Sequence, residues 1–260
     1  MYFSLKNICS IFSYLFCLML FSQNSEFKYK TYQEKGNEMG YRILLPKKYD
    51  KNKKYPLLLF LHGAGERGND NNLQLTHGSN QFLSKTFRQN YPSIIIFPQC
   101  PKNGYWASAT PVNDLLKFSY PKKPKGNPIL DLVEGILKTI RKEYSIDKKR
   151  IYVGGLSMGG MGTYEIVYRN PRLFAAAFAI CGGANPKIAR KIRKPSWRID
   201  HGDADTVVPI KLSEAMATSL ENQKANVEFN TYKGVYHNSW DNVFADVSFL
   251  PWLFSQKKKK

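Results

Sequence analysis

The stretch Arg150–Gly162, reading RIYVGGLSMGGMG, constrains the fold more than any other. A short β-branched run, Ile151 to Val153, meets Gly155-Leu156-Ser157-Met158-Gly159, and a helical pattern follows with no spacer. A chain that turns from strand to helix so abruptly strains the backbone of the turning residue, and β-carbons on its flanks collide. Gly155 and Gly159 remove those carbons, which pushes the Ser157 oxygen out above the end of a strand. The bare pattern arises by chance in roughly one chain of this length in ten. Its surroundings therefore have to separate a reactive serine from a glycine-rich turn.

Strands and helices alternate around it. Phe27–Lys35 and Met39–Leu45 read as strands, the second stopped by Pro46. Tyr55–His62 is a continuous apolar run of strand length, the pattern of a central parallel strand covered on both faces. It ends in the glycine-rich loop His62-Gly63-Ala64-Gly65-Glu66-Arg67-Gly68. Ile94–Phe97 is a further buried strand. Ile129–Tyr144 carries Ile129, Leu132, Val133, Ile136, Leu137 and Ile140 on one helical face. The helix after Ser157 runs to about Tyr168, where Asn170-Pro171 stops it. Phe174–Ile180 is a strand, Lys187–Lys194 a basic linker, and Trp197–His201 the strand before Gly202-Asp203-Ala204-Asp205. Ser213–Lys224 is helical, Val227–Tyr232 the last strand, and Trp240–Leu250 the last helix, ending at Pro251. This order predicts an α/β fold: a mostly parallel sheet with helices on both faces, in one domain.

Residues 102–128 break the rhythm. They are rich in proline and lysine, carry Tyr105, Trp106, Phe118 and Tyr120, and show no clean period. A long excursion of this kind reads as a cap-like insertion over a site.

The N-terminus reads as an export signal over residues 1–22, leaving 23–260 as the mature domain. Lys6 precedes the apolar stretch Ile8–Phe21, too short and too interrupted by Ser10 and Ser13 to span a bilayer comfortably. An uncleaved anchor is the alternative. Secreted or periplasmic localisation follows, without stable membrane association once the signal is removed. The mature chain keeps Cys100 and Cys181, which read as small buried thiols. No C-x-x-C or H-E-x-x-H spacing occurs, so neither a metal site nor a cofactor is expected. Lysine and arginine outnumber aspartate and glutamate 39 to 20, giving +19. Apart from Lys257-Lys258-Lys259-Lys260 the excess is spread along the chain, with no nucleic-acid motif beside it, which points to a basic solvated surface rather than a nucleic-acid partner.

An activated serine needs a base within reach, a carboxylate to hold that base, and donors for the oxyanion. In an open parallel sheet, functional groups gather at the carboxyl ends of strands. Ser157 ends one strand, Asp203 and Asp205 follow a later one, and His237 follows the last. That is a possible triad in the order Ser, Asp, His.

With these landmarks, the chain over about residues 40–254 resembles the α/β-hydrolase superfamily. More narrowly it looks like the phospholipase/carboxylesterase and predicted-peptidase branch related to dienelactone hydrolases. The landmarks are Leu61–Gly68, Pro98–Pro101, Gly155–Gly160, His201–Asp205 with Val208-Pro209, and His237–Trp240. The resemblance implies that Asp205 rather than Asp203 serves the histidine, with Asp203 shaping the turn. It also implies an oxyanion hole from the backbone N–H groups of Ala64 and Met158. His62 and His201 read as structural residues bonded to loop backbone. Trp106 and Gln99 are candidate substrate contacts, Glu66, Arg67 and Gln99 candidate loop organisers, and Trp240 a core aromatic. The expected activity is that of a serine carboxylesterase acting on a small-molecule or carbohydrate ester, including esters of acidic or plant-type polysaccharides. A serine peptidase of prolyl-oligopeptidase type and a non-catalytic binding protein on the same scaffold are the alternatives.

Overall fold

The computed structural model describes residues 26–112, 117–124 and 126–258; the signal segment expected at 1–22 lies outside them. Among the described residues there are ten strands: β1 (Lys28–Glu34), β2 (Asn37–Leu44), β3 (Tyr55–Leu61), β4 (Ile94–Pro98), β5 (Thr110–Val112), β6 (Lys117–Ser119), β7 (Ile146–Leu156), β8 (Ala176–Ile180), β9 (Ser196–Gly202) and β10 (Val227–Tyr232). Eight of them form one sheet in the order β1-β2-β4-β3-β7-β8-β9-β10. From β4 to β10 every neighbouring pair is parallel, while β1 and β2 add an antiparallel edge. Successive residues of β3 show why this run is apolar throughout. Leu57, Leu59 and Leu61 enter one core layer, and Leu58 and Phe60 enter the other. Both faces of a central parallel strand are dry, so the two-residue period carries no polar member.

The helix Pro128–Glu143 covers one face with Leu130, Leu132, Val133, Ile136, Leu137 and Ile140. Proline at its first position costs nothing, and the Asn127 side chain accepts from the N–H groups of Ile129 and Leu130.

Three expectations need correction. The last helix is two helices, Trp240–Ala245 and Phe249–Ser255. Pro251 lies in the first turn of the second, where its missing N–H would have had no intrahelical acceptor, so it does not act as a stop. The break falls at Asp246, whose carboxylate is drawn to Arg198 and to Ser248. The basic linker holds a helical turn, Ala189–Ile192, because Ile188 and Ile192 are buried and Trp197 Nε1 donates to the Ile192 carbonyl. The strand before Ser157 begins at Ile146 rather than Ile151, continuing through a register irregularity opposite Tyr55 and Leu57.

The described part of 102–128 is clamped to the helix Met158–Arg169. Ser108 donates from its backbone and its hydroxyl to the two oxygens of Glu165, at 2.6 and 2.8 Å. Burial raises the Glu165 carboxyl above its ordinary range, against the pull of these bonds and of Arg169. Strands β5 and β6 pair as a small antiparallel ribbon beyond that clamp.

Candidate active site

Ser157 sits between β7 and the helix Met158–Arg169 with φ +52° and ψ −117°, a left-handed conformation that a non-glycine residue adopts only when its surroundings impose it. The imposition is visible on both flanks. A β-carbon at Gly155 would lie 2.3 Å from the Leu61 carbonyl oxygen, and one at Gly159 would lie 1.9 Å from the same atom. The end of β3 and the turn after β7 thus touch backbone to backbone. The Ser157 N–H is held by the Ile180 carbonyl of β8 at 2.8 Å, which fixes the turn from the other side.

Sheet order places the rest. Ser157 follows β7, Asp205 follows β9 and His237 follows β10, all at the carboxyl edge. The Ser157 hydroxyl lies 2.9 Å from His237 Nε2, and His237 Nδ1 lies 2.7 Å from Asp205 Oδ2. With Nδ1 donating to the carboxylate, Nε2 is the acceptor facing the serine. Burial alone would raise the Asp205 carboxyl. Hydrogen bonds from His201, His237 and the backbone N–H groups of Val208 and Val207 outweigh it and hold Asp205 well below the usual carboxylate range. Asp205 therefore remains an anion throughout ordinary pH. Asp203 accepts from the Gly234 N–H at 2.6 Å, tying the loop that carries His237 to the end of β9.

Met158 opens its helix and Ala64 opens a short helical turn after β3. N–H groups in such first turns have no intrahelical acceptor. Arg67 Nε holds the Ala64 carbonyl at 2.9 Å, bracing that loop.

Trp106 and Gln99 are placed differently from the substrate contacts expected. Trp106 is fully buried, with Nε1 donating to the His62 carbonyl, and it abuts Gly162 of the elbow helix. It is a core residue locking the excursion to the elbow. Gln99 is buried with both ends used: Oε1 accepts from the Asn71 N–H, and Nε2 donates to the Glu66 carbonyl and to Asp70. It organises the loop after His62.

Two residues have more to do than the sequence suggested. His201 does bond loop backbone, at the Val208 carbonyl, but the same Nε2 also lies 3.1 Å from Asp205 Oδ2, and Nδ1 lies 2.7 Å from the Ser213 hydroxyl. The four-residue spacing across a tight turn in H-G-x-x-D was the signal for that contact. Trp240 is half-buried rather than core. Its ring meets His237 edge-on at 5.6 Å and His77 at 5.1 Å.

Cys100 and Cys181 are buried and unbonded to each other. Among the described residues, Cys181, Asp205 and His237 bring three potential ligand atoms within 4.8 Å. The set suits a cation poorly: burial keeps Cys181 a thiol, and the Asp205 oxygens are already engaged.

A parallel sheet whose carboxyl edge brings an elbow serine, an imidazole and a carboxylate into one hydrogen-bonded line defines an α/β-hydrolase fold. The phospholipase/carboxylesterase family pattern matches residues 48–250, and the chain belongs to that family. It is similar to a bifunctional acetylxylan esterase/xylanase of Neocallimastix patriciarum, 30% identical over 171 residues, which cover 65% of this chain and 22% of that protein. It is also similar to a dipeptidyl-peptidase 5 of Porphyromonas gingivalis, 26% identical over 162 residues, covering 62% of this chain and 22% of the other. The crystal structure of a thermostable esterase superposes with a TM-score of 0.81 at 33% identity, over 90% of this chain and 64% of that one. The chain thus spans only about a fifth of these two curated relatives.

Proposed function

We propose that this chain is an exported serine carboxylic-ester hydrolase in which Ser157, His237 and Asp205 form the catalytic triad. The observation that carries the reading is the line Ser157–His237–Asp205, closed at 2.9 and 2.7 Å on a strained elbow. His237 takes the Ser157 proton as the oxygen attacks the ester carbonyl, and Asp205 stabilises the imidazolium that forms. The backbone N–H groups of Met158 and Ala64 receive the oxyanion. Each such donor is worth about a hundredfold or more in rate. The imidazolium then protonates the leaving alcohol, an acyl-enzyme remains, and water activated by His237 releases the acid. No metal or cofactor enters this scheme.

An ester is favoured over an amide because an alkoxide leaves with less protonation than an amine. Similarity to an acetylxylan esterase/xylanase and the basic surface suggest esters on polysaccharide or plant-type substrates. The likeness to a dipeptidyl-peptidase supports a second reading, peptide hydrolysis by the same residues. A panel of short-acyl, long-acyl, feruloyl and acetylated-sugar esters beside a matched peptide anilide separates the two. Ser157→Ala is expected to lower kcat on the order of a millionfold. Retained turnover in that variant, or failure of a serine-directed phosphonate to label the folded wild type, sinks the proposal.

A further inference from the structure

The edge of the sheet opposite Ser157 carries a cleft of about 610 Å³. The amino-terminal ends of β7, β8, β9 and β10 converge there, each preceded by a short connection. Its walls are Lys148 and Lys149 from β7, Arg172 ahead of β8, Arg193 and Lys194 ahead of β9, and Lys224 ahead of β10. Lys257 and Lys258 come from the C-terminal tail. Ser196 and Asn226 supply polar groups, and Phe174 and Ala175 form the floor.

Among the described residues no acidic side chain lines the cleft and none of its eight cations is in a salt bridge. Asp147, the carboxylate whose field reaches Lys257 and Lys258, is already paired with Arg150 at 2.7 Å. The tail is not loose: the Lys258 N–H bonds the Lys149 carbonyl at 2.9 Å, and Lys258 Nζ reaches the Arg172 carbonyl at 3.4 Å. Helix C-termini at this edge favour single cations through their dipoles, but that local effect extends only over a terminal turn and does not call for eight in one hollow.

We infer that this cleft binds a linear polyanionic glycan, a polysaccharide bearing carboxylate or sulfate groups, at a site separate from Ser157. Three observations select that partner. The charge is one-signed and uncompensated, so a polyanion gains at every position while a neutral chain gains at none. The surface is a hollow rather than a flat face, which accepts a thread-like polymer and leaves a flat lipid surface bridging over it. Phe174, the aromatic of the lining, is buried, so among the described residues the cleft offers no ring on which the bases of a single strand could stack. From Lys149 to Ser157 the strand runs roughly 25 Å at about 3.3 Å per residue. A glycan held here leaves the serine edge open.

The test measures binding of the full chain to polygalacturonate over a salt series, beside a neutral glucan, a single-stranded oligonucleotide and equimolar phosphatidylcholine–phosphatidylglycerol vesicles. A cleft variant, Lys149→Glu with Lys194→Glu and Lys257→Glu, is set against a control with the same change in net charge, Lys28→Glu with Lys30→Glu and Lys138→Glu. All six side chains are exposed. The expected result is polygalacturonate binding that weakens with salt, is lost by about tenfold or more in the cleft variant and changes by about twofold at most in the control. Unfolding midpoints verify that both variants fold, and Lys→Gln at the same cleft positions replaces the reversal if it does not. Three results overturn the inference: no binding by wild type, equal losses in both variants, or cleft-dependent binding that prefers the oligonucleotide or the vesicles. None of these readouts depends on Ser157.

Discussion

Asp205 Oδ2 faces two imidazoles, His237 at 2.7 Å and His201 at 3.1 Å. In the proposed mechanism His237 acts on the serine, while His201 is a positioning residue that holds the carboxylate by its Nε2–H. Its other nitrogen is fixed by Ser213, so the ring has no freedom to follow a moving aspartate. Replacing His201 with Phe removes a hydrogen bond to an anion, and kcat should fall about ten- to a hundredfold with KM little changed. A rise in KM with kcat intact would assign His201 to substrate binding instead.

His62 gives a different prediction. The Cys100 N–H donates to its Nε2 at 2.9 Å and its Nδ1 faces the Gly63 carbonyl at 2.6 Å, so the folded protein accommodates only the neutral ring. Burial lowers its pKa to about 4. Between pH 6.5 and 4 the unfolded chain takes up a proton that the folded one refuses, so stability falls as pH falls through that window. The loss reaches about 3 kcal/mol at its acid end. Urea midpoints across this range, for wild type and His62→Asn, should show the slope in the first and not in the second.

At the scale of elements, β9 carries a buried ionic network beside its apolar packing. Arg198 and Asp200, two residues apart on the same face, are both buried and bonded to each other at 3.1 to 3.2 Å. Arg198 also reaches Asp246 between the last two helices, and Asp200 accepts from Tyr232 and Asn230 of β10. The network therefore ties β9, β10 and the C-terminal helices together, and β9 carries Asp205 at its end. Arg198→Met strands a buried carboxylate and should cost about 3–5 kcal/mol in chemical denaturation. Removing both charges with Asp200→Leu added should recover part of that loss. The strand itself was legible as Trp197-Arg-Ile-Asp-His201. Its charged members were not legible as buried, because a lone arginine and aspartate in an apolar run look the same whether they face solvent or each other.

Across the whole molecule, one sheet separates two edges with different chemistry: the serine line at the carboxyl ends of the parallel strands and the basic cleft at their amino ends. Cys100 and Cys181 sit deep in the fold without a bridge, so a reductant should move the melting temperature by no more than about 1 °C. A larger shift would reveal a disulfide. Read alone, the sequence determined the alternation of strands and helices, the elbow at Ser157 and the short list holding Asp205 and His237. Each of these depends on neighbours along the chain, where period, turn chemistry and glycine placement leave their mark. Only the tertiary structure decided that Trp106 and Gln99 turn inward, that His201 touches Asp205 and that basic residues from five separate segments share one cleft. Those outcomes depend on which strand ends lie side by side. The sheet order β4-β3-β7-β8-β9-β10 sets that, through packing that no local spacing encodes.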